Sequence, residues 1–269
     1  MGTQFGIRRL TGAIGAEVSG INLNSPLDER TFEEVHQAFL EHCMLVFRGQ
    51  FFKPAAQVAF THRWGEALVT PYLKSLQVPD YPEIVAVPNL GKAKAVTEEW
   101  HSDSSFLPTP PAHAILAVQV VPEVGGDTMF ANQYLAYEAL SEGMRRLLGG
   151  LRALHKGAKL AATTGADDSE ERPQSHPVVR THPETGRKGL YINRIYTYGF
   201  EGMTVTESRG LLEFLLEHCC RPDFTYRHQW TPGDVLMWDN RCTVHYAVHD
   251  YGEAPRVMHR TTIAGDVPR

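Results

Sequence analysis

From about residue 83 to its end the chain advances in short β-rich runs broken by turn residues, and this restricts its fold more than any other feature. EIVAVPN, AILAVQVV and GGDTMFAN come first. In the last third, RTHPETGRKGLYIN reads as a hairpin turning at Glu184 to Gly186. FTYRHQW, TPGD and VLMWDN read as strand, turn and strand, and TVHYAV and RVMHRTTIA as a further pair joined by DYGEAP. Many short strands with regular turns predict a mainly β fold with helical insertions, a sandwich or barrel of the jelly-roll kind.

The insertions are read from helical spacing. Ser25-Pro26 opens a helix carrying Phe32, Val35, Phe39 and Leu40, after a short strand pair around Gly12 to Leu23. CMLVFRGQ follows as a buried strand, then an amphipathic helix over Pro54 to Trp64. Residues 134 to 149 predict one helix, and residues 204 to 219 another, where Thr204 and Glu207 form a T-x-x-E capping box and Pro222 marks the end. Gly157 to Pro177 is polar and reads as a mobile surface loop, a candidate lid. No interior linker divides residues 1 to 269, so a single domain is expected.

Composition excludes several classes. With 42% hydrophobic and 21% charged residues over 269 positions, the chain can bury a large core without structural metals or disulfides. A net charge of −5 argues against nucleic-acid and anionic-membrane partners, which call for a basic face. Cys43, Cys219, Cys220 and Cys242 form no C-x-x-C pair, and no apolar run suits a spanning helix or a signal peptide. A cytoplasmic protein is expected.

The chemistry begins with EEWHSDSSF, residues 98 to 106. If this stretch is extended, His101 and Asp103 share a face, because strand side chains repeat every second residue. An imidazole and a carboxylate side by side need one more imidazole to form a 2-His-1-carboxylate triad, which grips Fe(II) on one side and leaves the other open. His245 is the best candidate. Thirteen histidines make an H-x-D spacing unremarkable by chance, but RVMHR adds weight. Arg256, Met258 and Arg260 alternate onto one strand face, and the arginine fork suits carboxylates. A zinc hydrolase or a non-catalytic metal-binding jelly roll stays open, although no H-E-x-x-H motif is present.

Nearly end to end, the chain resembles the Fe(II)- and 2-oxoglutarate-dependent dioxygenases of the taurine dioxygenase / 2,4-dichlorophenoxyacetate dioxygenase group. GAIGAEVSGINL, LVFRGQ, WHSDSSF, VPEVGGDTMFAN, VVRTHPETGRKGLYIN, GDVLMWDNRCTVHYAV and RVMHRTTIAGD carry the likeness. It implies a double-stranded β-helix core, with His101, Asp103 and His245 as iron ligands and Thr128 and Arg256 on the far carboxylate of 2-oxoglutarate. Arg260 matches the position that contacts the anionic end of the primary substrate. Asp103 is intact, which disfavours halogenation. The co-products would be succinate and carbon dioxide, and relatives form dimers or tetramers.

The resemblance implies less about the substrate. Thr70 and Thr97 stand where the taurine enzyme has a histidine and an asparagine, while Ser104-Ser105, PYLKSL and TTIAGDVPR look more like the phenoxyalkanoate-cleaving branch. Tyr72, Tyr196 and Phe106 are candidate walls, with plain core packing the better account of Phe106. Arg260, and Lys74 as a second cation, would hold the anion. The expectation is a small organic anion, an aryloxyalkanoate hydroxylated beside its ether oxygen and collapsing to a phenol and an oxo acid; an alkylsulfonate or alkylsulfate is the alternative.

Overall fold

Three apolar stretches, Met44–Phe47, His113–Val120 and Val235–Asp239, bury side chains on both faces, so the sheet they form must separate two cores. The computed structural model describes residues 5–69, 71–89, 91, 97–164 and 172–269. In chain order the first strands are β1 (Gly6–Arg9), β2 (Ala16–Ser19), β3 (Met44–Phe47), β4 (Gln77–Val78), β5 (Tyr81–Pro88), β6 (His113–Val120), β7 (Thr128–Asn132) and β8 (Arg152–His155). Then come β9 (Gln174–Pro177), β10 (Val179–Thr181), β11 (Lys188–Leu190), β12 (Thr197–Phe200), β13 (Thr225–His228), β14 (Val235–Asp239), β15 (Thr243–Ala247) and β16 (Val257–Ile263). The helices are α1 (Glu29–His42), α2 (Pro54–Trp64), α3 (Gln133–Glu138), α4 (Glu142–Leu148), α5 (Ala158–Thr164) and α6 (Val205–His218).

The major sheet runs β1-β2-β3-β14-β6-β16-β5-β4, and a minor sheet runs β13-β7-β15. Leu45, Phe47, Ile115, Ala117, Val235 and Met237 face outward onto Phe39 of α1 and Phe60 of α2. Their neighbours Met44, Val46, Ala114, Leu116, Leu236 and Trp238 face inward, onto Phe130 of the minor sheet. The period-two alternation thus serves two cores at once. A third core lies among α3, α4, α6, β8 and β12 and includes Leu148, Phe200 and Leu215. The fold is a jelly roll, mainly β with helical insertions, as expected.

Several local expectations change. β13 and β14 do not form a hairpin: β13 pairs with β7 in the minor sheet, β14 with β3 and β6 in the major one. β15 and β16 divide in the same way. Successive strands cross between the facing sheets, because each must bury an apolar face on the shared interior. The helix expected over residues 134 to 149 is two, since Ser141 starts a new one by accepting the Met144 N–H at 3.2 Å. α1 begins later than Ser25-Pro26, capped by Asp28, which accepts the Thr31 N–H at 2.9 Å. The stretch read as a loop from 157 to 177 holds α5 at one end and β9, paired with β8, at the other; residues 165–171 lie outside the described residues. Among the described residues, no helix is long and apolar enough to cross a membrane.

Candidate metal centre and anion pocket

His101 and His245 are joined through the main chain. His101 N–H donates to His245 O at 2.9 Å and His245 N–H to His101 O at 2.7 Å. This hydrogen-bonded antiparallel pair sets both imidazoles on one face, ring centroids 4.1 Å apart. Asp103 reaches them by a different route from the strand alternation expected. The chain leaves extended structure after His101, Asp103 enters a turn, and Ser104 takes φ 45°. A positive φ at a non-glycine residue is costly and is held here by a fully packed surrounding. One ligand atom each from His101, Asp103 and His245 fall within 4.8 Å of one another, all buried.

The hydrogen bonds suit this cluster to a divalent cation. His101 Nδ1–H donates to Glu99 O at 2.8 Å, which leaves the lone pair on Nε2. Asp103 Oδ2 is buried without a hydrogen-bond partner, a cost that a bound cation would offset, and His245 turns Nε2 toward Asp103 Oδ1, 3.9 Å away. Burial pushes both imidazoles below their ordinary range, His245 well below. Burial pushes the Asp103 carboxyl up, but Arg260 and the two histidines outweigh it and hold the group below the usual carboxylate range. Two neutral imidazoles and one carboxylate are the protonation states that metal binding needs.

The turn between β14 and β15 supports the cluster. Asn240 Oδ1 accepts the main-chain N–H of Asp103 at 3.3 Å and the indole N–H of Trp238 at 2.9 Å. The Trp238 and Phe130 rings lie 4.9 and 6.0 Å from that of His245. Beneath the turn, Asp239 accepts from Arg241 Nε at 2.9 Å and Nη2 at 2.7 Å, and from His182 Nε2 at 3.0 Å. His182, Asp239 and Cys242 also form a cluster of metal-ligating types. The bidentate arginine occupies that carboxylate, His182 Nδ1 accepts the N–H groups of Glu184 and Thr185, and the Cys242 thiol donates to Asp239 O at 3.8 Å, so the cluster fastens the turn. The long-range acceptor role of Asn240 has no local signal in the sequence.

Thr128 and Arg256 build a second feature. On β7, Thr128 and Phe130 lie opposite Ala247 and His245 of β15, so Thr128 shares the inward face with His245. Its Oγ1 accepts the Trp230 indole N–H at 3.0 Å, which leaves the hydroxyl proton to be donated. Arg256 is buried, donates Nε–H to Gly126 O at 3.2 Å and, among the described residues, makes no ion pair. Gly126 allows this approach: at φ +74°, a Cβ there would meet Arg256 Cδ at 3.2 Å. Burial lowers the Arg256 pKa from its ordinary value. A buried cation without a counter-ion is a place for an anion.

The substrate candidates separate. Arg260 points Nη1 at Asp103 Oδ1, 3.0 Å away. Tyr196 is buried, edge-on to His101 at 6.5 Å and 5.1 Å from Phe106, so both rings stand near the cluster. Tyr72 falls in the short 3-10 helix Pro71–Leu76, with its side chain outside what is described, and Thr70 lies outside the described residues.

A jelly roll that gathers two imidazoles and a carboxylate, and holds just before β16 a buried arginine without an ion pair among the described residues, has the frame of a mononuclear metal oxygenase. The chain belongs to the taurine catabolism dioxygenase TauD, TfdA family, whose pattern matches residues 6–262. It is 37% identical over 278 residues to an alkylsulfatase of Acinetobacter baylyi, covering 98% of this chain and 86% of that one. To an (S)-phenoxypropionate/alpha-ketoglutarate-dioxygenase of Sphingobium herbicidovorans it is 35% identical, covering 99% and 97%. The crystal structure of AAD-2 in complex with Mn(II) and N-oxalylglycine superposes with a TM-score of 0.85 at 32% identity, covering 99% of each chain.

Proposed function

We propose that the chain is an Fe(II)- and 2-oxoglutarate-dependent dioxygenase that hydroxylates a small organic anion, an aryloxyalkanoate or related carboxylate. The observation that carries this is the convergence of the His101, Asp103 and His245 donor atoms within 4.8 Å. The ion-pair-free guanidinium of Arg256 adds the anion site that a dicarboxylate co-substrate needs. The similarity to a phenoxypropionate dioxygenase supports the substrate class. The similar AAD-2 structure is a complex with Mn(II) and N-oxalylglycine, a divalent metal and an analogue of 2-oxoglutarate, which supports the cofactor reading.

His101, Asp103 and His245 would hold the ferrous ion. That ion would activate dioxygen, the oxidant, one oxygen atom going to succinate as 2-oxoglutarate loses carbon dioxide and the other to the hydroxylated substrate carbon. The chain's own residues bind and orient. Arg256 pairs with the far carboxylate of 2-oxoglutarate, and Thr128, its lone pair engaged by Trp230, donates its proton to the same group. Arg260 grips the anionic end of the primary substrate, and Tyr196 forms a wall beside His101. Phe130 and Trp238 shield the His245 side from water. Hydroxylation beside an ether oxygen gives a hemiacetal that collapses to a phenol and an oxo acid.

An alkylsulfate substrate is the second reading, favoured by the 37% identity to an alkylsulfatase; Arg260 would then hold a sulfate. Anaerobic addition of Fe(II) and 2-oxoglutarate is expected to produce the weak visible charge-transfer band of the chelate, and its absence would overturn the reaction class. Succinate release is then measured with phenoxy acids and alkyl sulfates in parallel. Turnover confined to the sulfates would replace the first substrate with the second.

A further inference from the structure

On the outer face of the minor sheet, turned away from the metal centre, one arginine holds two carboxylates. Residues directly opposite across paired strands share a face, so His228 points with Thr128, while Arg227, opposite Met129, points outward. Arg227 Nε donates to Asp127 Oδ2 at 2.6 Å, and Nη2 to Asp250 Oδ2 at 3.1 Å. Asp250 Oδ1 accepts the main-chain N–H of Gly126 at 2.8 Å. Asp127 O accepts the Val248 N–H at 2.9 Å, which joins the same segment to the loop that carries Asp250. Among the described residues, none of these three side chains hydrogen-bonds to the metal cluster, Thr128 or Arg256.

Two adjacent glycines explain why this segment needs support from outside. Gly125 and Gly126 take φ of 81° and 74°, and glycine has the widest backbone freedom of any residue. They have no side chains to pack, so what presses on them decides where their peptides point. A Cβ on Gly125 would meet Asp250 Oδ1 at 2.5 Å, and one on Gly126 would meet Tyr251 Cδ1 and Arg256 Cδ, each at 3.2 Å. Gly126 stands between the outer carboxylate and the buried arginine. Its N–H goes to Asp250, and its carbonyl takes Arg256 Nε–H at 3.2 Å. The loop behind Asp250 is itself tied down, Asn89 Nδ2 donating to Gly252 O and Ala254 O, both at 2.9 Å. Arg227 and Asp250 are about half exposed, so their ion pair adds little to stability. What it supplies is direction.

We propose that Asp250 and Arg227 are positioning residues for the co-substrate site. Arg227 aims the Asp250 carboxylate, Asp250 fixes the Gly126 peptide, and the Gly126 carbonyl turns the Arg256 fork toward the far carboxylate of 2-oxoglutarate. The assignment rests on the co-substrate reading above. Positioning and plain electrostatics differ in sign here. A carboxylate near an anion site repels the anion, so deleting it would strengthen binding if charge alone mattered. If the hydrogen bond to Gly126 matters, deletion weakens binding, and asparagine, which keeps an acceptor oxygen, restores it.

The readout is the anaerobic charge-transfer band of the Fe(II) protein titrated with 2-oxoglutarate, which needs no turnover. Asp250→Ala is expected to raise the dissociation constant roughly tenfold, the worth of one hydrogen bond to a charged acceptor, and Asp250→Asn to stay within about threefold of the unaltered protein. Mn(II) affinity should be the same in all three. In an Arg256→Ala background, Asp250→Ala should cost nothing further, because its effect passes through the Arg256 fork. If thermal unfolding shows that Asp250→Ala does not fold, Arg227→Gln takes its place, with a weakening of about threefold that Arg256→Ala again abolishes. Unchanged or tighter 2-oxoglutarate binding in the folded variant overturns the proposal, as does a fall in Mn(II) affinity or a full additional loss in the Arg256→Ala background. In those cases the band of the unaltered protein leaves the co-substrate reading standing. No band in the unaltered protein removes that reading and this inference with it.

Discussion

Arg260 and Asp103 form an ion pair, Nη1 to Oδ1 at 3.0 Å, between a proposed substrate-gripping cation and a proposed metal ligand. The pair occupies one carboxylate oxygen and leaves Oδ2 buried and unpartnered. Metal binding and substrate binding are thereby linked through a single side chain.

Arg260→Ala removes a positive charge next to the cation site and a fork for the substrate anion. The Michaelis constant for the primary substrate is expected to rise at least tenfold, the loss of a charge-assisted hydrogen bond of about 1.5–3 kcal/mol. Affinity for Mn(II), followed by electron paramagnetic resonance, should stay level or tighten. Clear weakening of Mn(II) binding would mean that Arg260 chiefly orients Asp103.

Arg256→Ala empties the buried cation site behind Gly126. The 2-oxoglutarate requirement should rise roughly a hundredfold, as for truncation of a buried charge partner. The Michaelis constant for the primary substrate should change little. Initial rates of succinate formation with each substrate varied in turn separate the two effects, and equal losses would remove the division between Arg256 and Arg260.

Asn240→Ala leaves the Asp103 main-chain N–H and the Trp238 indole without their acceptor. Metal affinity should fall about 10–100-fold, as is usual when a ligand's supporting hydrogen bond is lost. The fold should persist with a stability loss of about 1–3 kcal/mol. Mn(II) titration and urea unfolding of one preparation check both.

Burial pushes the pKa of His155 from 6.5 down to about 3. Its Nδ1 meets Ser105 Oγ at 2.9 Å, and its ring faces that of His176 at 5.3 Å. Between those pH values the unfolded chain binds a proton at this residue and the folded chain does not, so stability rises with pH in the window and is lost as pH falls through it. Urea midpoints should decline from about pH 7 to about pH 4.5, and less steeply in His155→Phe. An identical slope in the variant would show that other groups govern acid unfolding.

Local chemistry was enough to read much of this chain. Pro54 to Trp64 is a helix as its sequence suggests, and Thr204 with Glu207 closes its capping box, the Thr204 N–H donating to Glu207 Oε2 at 2.8 Å. These features rest on neighbours a few residues apart, which sequence displays directly. The long ordered motifs were likewise enough to assign the family. Strand partners were not legible. FTYRHQW and VLMWDN look like a hairpin, yet they enter opposite sheets, because pairing is decided by which apolar faces must meet across the interior. The turn at Asp103, the main-chain exchange between His101 and His245, and the Asn240 acceptor join residues more than a hundred positions apart. The residue types of the candidate site belong to the sequence; their convergence belongs to the tertiary fold, since only long-range packing and hydrogen bonding can hold such distant groups together against chain entropy.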